Sequence, residues 1–201
     1  QGEVLAEKIP ATPGVPGIDV LGQEVNAKSG KDVLMPVGKN TCAEDNKVIA
    51  AVAGQLQVIG NKLTVSPVIE IKDDVDLSTG NVNFIGNVVV RGSVQSGFTV
   101  KADGNIEVYG SVSGGTLEGK NIVVHMGIQG MQRGYVKAKE NVASKFIENA
   151  TVSADGDVVV TDTILHSLVN AGKRVIVEGK RGLIAGGHVM AGEEVRAKTV
   201  G

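Results

Sequence analysis

Aromatic residues are nearly missing from this 201-residue chain: three Phe, two Tyr and no Trp, or 2% of the total. So sparse a set leaves no material for the aromatic platforms on which sugars or bases stack. One cysteine, Cys42, excludes an internal disulfide framework and a thiolate zinc site. No apolar run approaches the ~20 residues of a membrane-spanning helix. The net charge is −2, with 20 basic and 22 acidic residues, which disfavours a nucleic-acid surface. Only five prolines occur, three of them in IPATPGVPG at Pro10, Pro13 and Pro16. That spacing suits an extended polyproline segment over 1–17, a linker or an edge. The first residue is Gln1 and no signal-peptide pattern follows, so the chain reads as a fragment.

What the chain does have is valine, its commonest residue, and 28 glycines scattered every few positions. β-Branched side chains are stiff and pack well on a pleated surface. Short valine-rich runs broken by Gly, Asn and Asp read as strands joined by tight turns. No stretch holds a helical apolar period over a dozen positions, although 143–154 comes nearest, so an all-β chain is expected.

The strands repeat. Segments beginning GNVVVRGSV at Gly86, GNIEVYGSV at Gly104, NIVVHMGI at Asn121, NVASKFIE at Asn141, GDVVVTDT at Gly156 and RVIVEGKR at Arg174 align with one another. Their leading apolar residues are Val88, Ile106, Ile122, Val142, Val158 and Val175, with Val195 after them. Successive leaders are 16 to 20 positions apart. A unit that short cannot bury its own apolar face, and stacking on its neighbours builds a continuous core. Up to three apolar pulses per unit give three faces, and seven rungs ~4.8 Å apart give a rod on the order of 30 Å. The six-residue spacing from Val88 to Val112 suits a left-handed hexapeptide helix. The uneven rung lengths, and the lack of a small residue after each leader, favour a right-handed parallel β-helix, the usual hand of parallel crossovers.

Asn87, Asn105, Asn121, Asn141 and Asp157 each precede a leading residue, a placement that allows a hydrogen-bonded ladder up one corner. Gly92, Gly110 and Gly179 recur four positions after the leader and mark a second corner. Residues 18–66 are β-rich without the repeat, with a hairpin turn expected at Gly60–Asn61. The division is therefore 1–17 linker, 18–66 small β domain and 67–201 solenoid, with 68–86 as a transition carrying short first rungs at Val75 and Val82. The small domain is expected to pack on or cap the solenoid.

The runs PGVPGIDVLGQEV, AAVAGQLQVIGNKLTVSPVIEI and STGNVNFIGNVVVRGSVQSGFTVKADGNIEVYGSV, followed by GIQGMQRGYVKAKENVASKFIENATVSADGDVVV and HSLVNAGKRVIVEGKRGLIAGG, resemble the flagellar assembly protein A family. The resemblance covers nearly the whole chain. It implies a central right-handed β-solenoid, here without the family's flanking N-terminal domain and C-terminal helical region. It further implies a bacterial, cytoplasmic, non-enzymatic protein of flagellar assembly or cell-pole organisation, and it brings no catalytic motif.

Chemistry-bearing residues are few. His125, His166 and His188 lie 3, 8 and 13 positions after their own leaders, on different faces, and cannot share one metal. Asp74, Asp76 and Ser78 open like a calcium loop, but Gly falls one place late and Ile85 stands where the closing Glu is needed. Asp155 and Asp157 read as a turn. GIQGMQRG and KRGLIAGG lack the Lys-Ser/Thr ending of a phosphate loop; they read as long corners whose Arg133, Lys180 and Arg181 offer contacts to an acidic partner. Cys42 has no neighbouring histidine. Catalytic residues, metal ligands and cofactors are therefore assigned as none. One feature points to contact. If the leading strands bury alternate residues, Val89, Val123, Ala143, Val159 and Ile176 point outward, with Glu107 among them. An aliphatic outer row marks a surface that something covers: first another part of the protein, the N-terminal domain or the missing helices, and otherwise a second copy or a partner. The expectation is a scaffold that docks a protein partner, with a homo-oligomer as an option and no nucleic acid or membrane span. The alternatives are a self-polymerising, bactofilin-like filament module and, less favoured, a polysaccharide-acting β-helix enzyme.

Overall fold

A computed structural model describes residues 1–131 and 133–201. Every regular element among them is a strand. The chain divides into two compact units, Gln1–Ser66 and Pro67–Gly201.

The first unit is antiparallel. Lys47–Ala50 lies between Val4–Glu7 and Thr41–Glu44, burying Val48 and Ala50. Val4–Glu7 falls inside the stretch expected to be an extended linker. Residues 8–16, which hold the three prolines, form no strand. Gln55–Ile59 and Lys62–Ser66 make the hairpin expected at Gly60–Asn61, with Gly60 at φ +60° in the left-handed region that glycine enters without strain. Cys42 is an exposed free thiol.

The second unit is a parallel β-solenoid of about seven turns. Its first face stacks Val68–Ile71, Asn87–Val90, Ile106–Val108, Ile122–Val124, 142–144, 158–160, Arg174–Val177 and Glu194–Ala197. We number these coils 1 to 8. The leading residues named above align in one column: Val88↔Ile106↔Ile122↔Val142↔Val158↔Val175↔Val195. Ile69 extends that column downward, so 68–86 is a full coil. The second face runs from Val75 and Val94 through Val112, Ile128, Ile147 and Ile164 to Ile184 and Val200. The third carries Val82, Val100, Leu117, Val136, Val152, Val169 and Val189.

The core explains the composition. Identical positions stack ~4.8 Å apart, a spacing that β-branched side chains fill. Val88, Val90, Val94, Val100, Ile106 and Val108 are essentially inaccessible to solvent. Fully burying each such side chain stabilises the fold by about 1.5–3 kcal/mol before entropy is counted. Phe84 and Phe98 pack against the core from its edge, and the half-buried Phe146 sits over a glycine. A Cβ on Gly127, one coil below, would lie 2.6 Å from Phe146 Cδ1. The ring needs that glycine beneath it.

The asparagine corner is a continuous ladder. Asn105 N donates to Asn87 Oδ1 at 2.8 Å, Asn121 Nδ2 to Asn105 Oδ1 at 3.1 Å, Asn141 N to Asn121 Oδ1 at 3.1 Å and Asp157 N to Asn141 Oδ1 at 2.9 Å. The corner between the second and third faces works differently. It takes left-handed residues coil by coil: Gly80, Gly97, Gly114, Met131, Asn149, His166 and the pair Gly186 and Gly187, with φ between +46° and +85°. Buried polar side chains serve the turns as well. Ser167 Oγ donates to Leu165 O at 2.7 Å and accepts from Ala150 N at 3.2 Å.

Candidate functional site

The first face presents two outward columns. Parallel pairing places Glu70, Val89, Glu107, Val123, Ala143, Val159, Ile176 and Arg196 in one row, coil by coil. Their neighbours on either side point inward, because side chains alternate across a strand. Val159 is 36% exposed and Val89, Val123, Ala143 and Ile176 are half-buried. Val123, Ala143 and Val159 line a shallow depression of about 280 Å³ with His125, Lys145 and Thr161. The five residues expected to form an aliphatic row thus stand in register. Glu107, carrying a charge, interrupts them.

Two positions further along each strand runs the second column: Lys72, Arg91, Tyr109, His125, Lys145, Thr161, Glu178 and Lys198. Three of its members form a stack. Arg91 Cζ lies 4.5 Å from the Tyr109 ring centre, and the Tyr109 and His125 rings stack at 4.6 Å. Diagonal contacts between polar and charged side chains tie the columns together. Arg91 Nε is 2.6 Å from Glu70, His125 Nε2 is 2.8 Å from Glu107 and Arg196 Nη1 is 3.2 Å from Glu178. The sequence reading missed Arg91 and Tyr109. Their signal was available: they sit, like His125, three positions after the leading residue.

The third face is polar by contrast. Lys101 Nζ lies 2.9 Å from Glu118, and Tyr135 donates its hydroxyl to the same carboxylate. The tyrosine and the lysine hold Glu118 below the ordinary carboxylate range. Asn83, Lys137 and Lys139 edge the adjoining groove.

The basic positions are dispersed. Arg133 lies at the corner between the second and third faces of coil 4, while Lys180 and Arg181 lie between the first and second faces of coil 7. Arg181 Nε is 3.9 Å from Asp162. The structure does not bring Arg133 together with the other two. His125 belongs to the ring stack, His166 holds a left-handed corner and His188 pairs with Leu168 on the third face. Asp76 accepts from Ser78 N at 2.8 Å and from its hydroxyl at 2.7 Å, while Asp74 caps Ser93 N at 2.7 Å. Asp157 binds the Arg174 guanidinium at 3.1 and 2.7 Å, and that partner keeps its carboxyl below the usual range. Among the described residues, no group of three or more His, Cys, Asp or Glu could hold a metal ion, and no helix is long and apolar enough to cross a membrane.

Residues 67–201 match the model of the Flagellar Assembly Protein A beta solenoid domain. The chain belongs to that family. Residues 1–61 match the family's N-terminal region. That match corrects the expectation that the flanking N-terminal part is missing; its short antiparallel strands lack the repeat that made the solenoid recognisable. No curated protein and no solved structure matches the chain.

Proposed function

We propose that the chain is a non-enzymatic scaffold of bacterial flagellar assembly, acting in the cytoplasm by docking protein surfaces on the first face of its solenoid. One observation carries this reading: Val89, Val123, Ala143, Val159 and Ile176 stand in register on the outside of a parallel sheet. From Val123 to Ile176 the row is unbroken and partly open to solvent, and contiguous apolar surface of that kind marks contact with something. The second column adds arginine and tyrosine, residue types enriched where interfaces concentrate their energy. The coil-to-coil ladder holds these side chains on a regular grid, so little ordering is needed when a partner lands. Arg133, Lys180 and Arg181 would then be accessory contacts to acidic groups.

The test is genetic. Val123→Asp with Val159→Asp places two carboxylates in the row while leaving the core untouched. In the host cell it should abolish or strongly reduce flagellar assembly at unchanged protein level. Ser153→Asp with Asn170→Asp on the third face should leave assembly intact. Normal flagella in the first variant would refute the reading.

A further inference from the structure

The charges at the two ends of the first face are arranged as mirror opposites. At the lower end Glu70 of coil 1, in the aliphatic column, pairs with Arg91 of coil 2, in the second column, at 2.6 Å. At the upper end Arg196 of coil 8, in the aliphatic column, pairs with Glu178 of coil 7, in the second column, at 3.2 Å, and also with Glu194 of its own strand at 3.0 Å. The two diagonals have the same shape and the opposite sign. Turning one copy over about a two-fold axis that runs along the strands, midway between coils 4 and 5, lays coil 1 on coil 8 and coil 2 on coil 7. Glu70 then meets Arg196 and Arg91 meets Glu178, and this happens at both ends because a two-fold interface is self-complementary.

We infer that the first face is the interface of an antiparallel two-fold homodimer: its occupant is a second copy of this chain. The inference rests on the reading of this face as a docking surface and names what docks there. The same operation places Val89 opposite Ile176 and Val123 opposite Ala143, so the aliphatic row covers itself. Asn87 falls opposite Arg174, and Asn105 opposite Asp157, without like charges. Glu107 falls opposite Val159, one coil from Lys145 of the second copy. One pairing sets like charges together, Lys72 against Lys198; the Glu107 carboxylate facing Val159 is also unfavourable, and His125 faces Lys145. Eight coils ~4.8 Å apart and a strand width of ~13 Å give about 500 Å² per copy. The total of about 1,000 Å² sits at the lower edge of specific interfaces, the range of weak and reversible association.

Two reciprocal variants test this by sedimentation of the whole chain between about 1 and 200 µM. One carries Glu70→Arg with Arg91→Glu, the other Glu178→Arg with Arg196→Glu. Each keeps its diagonal ion pair with the sign reversed and opposes like charges at both ends of its own dimer, while Arg196→Glu in the second also gives up the contact with Glu194 at 3.0 Å. Each alone should dissociate at least about tenfold more readily than the native chain. An equimolar mixture should recover native affinity as a heterodimer, since both of its ends are complementary. A gain-of-affinity variant guards against misfolding: Lys198→Glu removes the one like-charged pairing and should tighten the dimer several-fold. A native chain that stays monomeric throughout the range overturns the inference. So does growth beyond the dimer, a dimer indifferent to the charge reversals, or a mixture without recovery. A monomeric native chain whose Val123→Asp, Val159→Asp form still blocks flagellar assembly refutes the homodimer alone and leaves the docking face to a different protein. Normal flagella in that form refute the docking reading itself.

Discussion

Replacing Asn121 by alanine tests whether the corner ladder carries the solenoid. Asn121 holds four hydrogen bonds at a half-buried corner. Its amide nitrogen donates to Asn105 Oδ1 at 3.1 Å and to Glu140 Oε2 at 2.7 Å, and its oxygen accepts from Asn141 N at 3.1 Å and Nδ2 at 3.0 Å. At roughly 1 kcal/mol net per bond, less for the exposed pair, Asn121→Ala should cost about 2–3 kcal/mol. For a domain of this size that lowers the melting midpoint by roughly 5–10 °C. The chain supplies its own probe. Its two tyrosines, Tyr109 and Tyr135, both lie in the solenoid and there is no tryptophan, so tyrosine fluorescence follows that unit alone. Asn121→Asp separates the roles. It keeps the acceptor for Asn141 N but sets a second carboxylate beside Glu140, which Asn121 first and Lys120 second hold below the ordinary range. Crowding two carboxylates makes the pair harder to ionise fully than in the unfolded chain, so its upper titration is raised. A raised folded value stabilises on the acid side, so this variant should gain on the native chain as pH falls through the carboxylate range. A shift under about 1 °C for Asn121→Ala would show that stacked strands alone suffice and that the ladder is decorative.

Three further outcomes follow from single contacts. Gly127→Ala should lose about 1–3 kcal/mol because its Cβ would enter the Phe146 ring, and Phe146→Leu in the same chain should recover part of the loss by thermal melting. Met131 holds a left-handed corner at φ +47°, where its earlier counterparts are glycines; Met131→Gly should raise stability by up to about 1 kcal/mol in urea titration. Glu118 is held below the ordinary range by Tyr135 and then Lys101, so its contribution is complete above that range and fades as pH falls. Glu118→Gln should therefore flatten the acid limb of the stability profile, and an unchanged limb would remove Glu118 from the account.

What the sequence showed and what it hid follow from one geometrical fact: each residue's neighbours lie 16 to 20 positions away in the chain. Where a column keeps one chemical type, the alignment of repeats exposes it. Leading aliphatics, corner asparagines and the outward valines were legible for that reason, down to the register of Val88, Ile106 and Ile122. Coil 1 was blurred because Ile69 follows Pro67 at the junction with the non-repeating unit, where the stretch looked transitional. Columns whose function is backbone shape, or contact between unlike groups, leave no constant residue. The left-handed corner is filled in turn by glycine, methionine, asparagine and histidine, because the backbone angle is what repeats there. Arg91, Tyr109 and His125 share an offset but no residue type, and their stack arises from cation–π and ring contacts between different side chains. The end charges are hidden more deeply still. Glu70 and Arg91 look like any surface pair until coil 8 supplies Arg196 and coil 7 supplies Glu178 in the opposite sense. A property of that kind belongs to the face as a whole, so it emerges only once the coils have been counted and both ends set against each other.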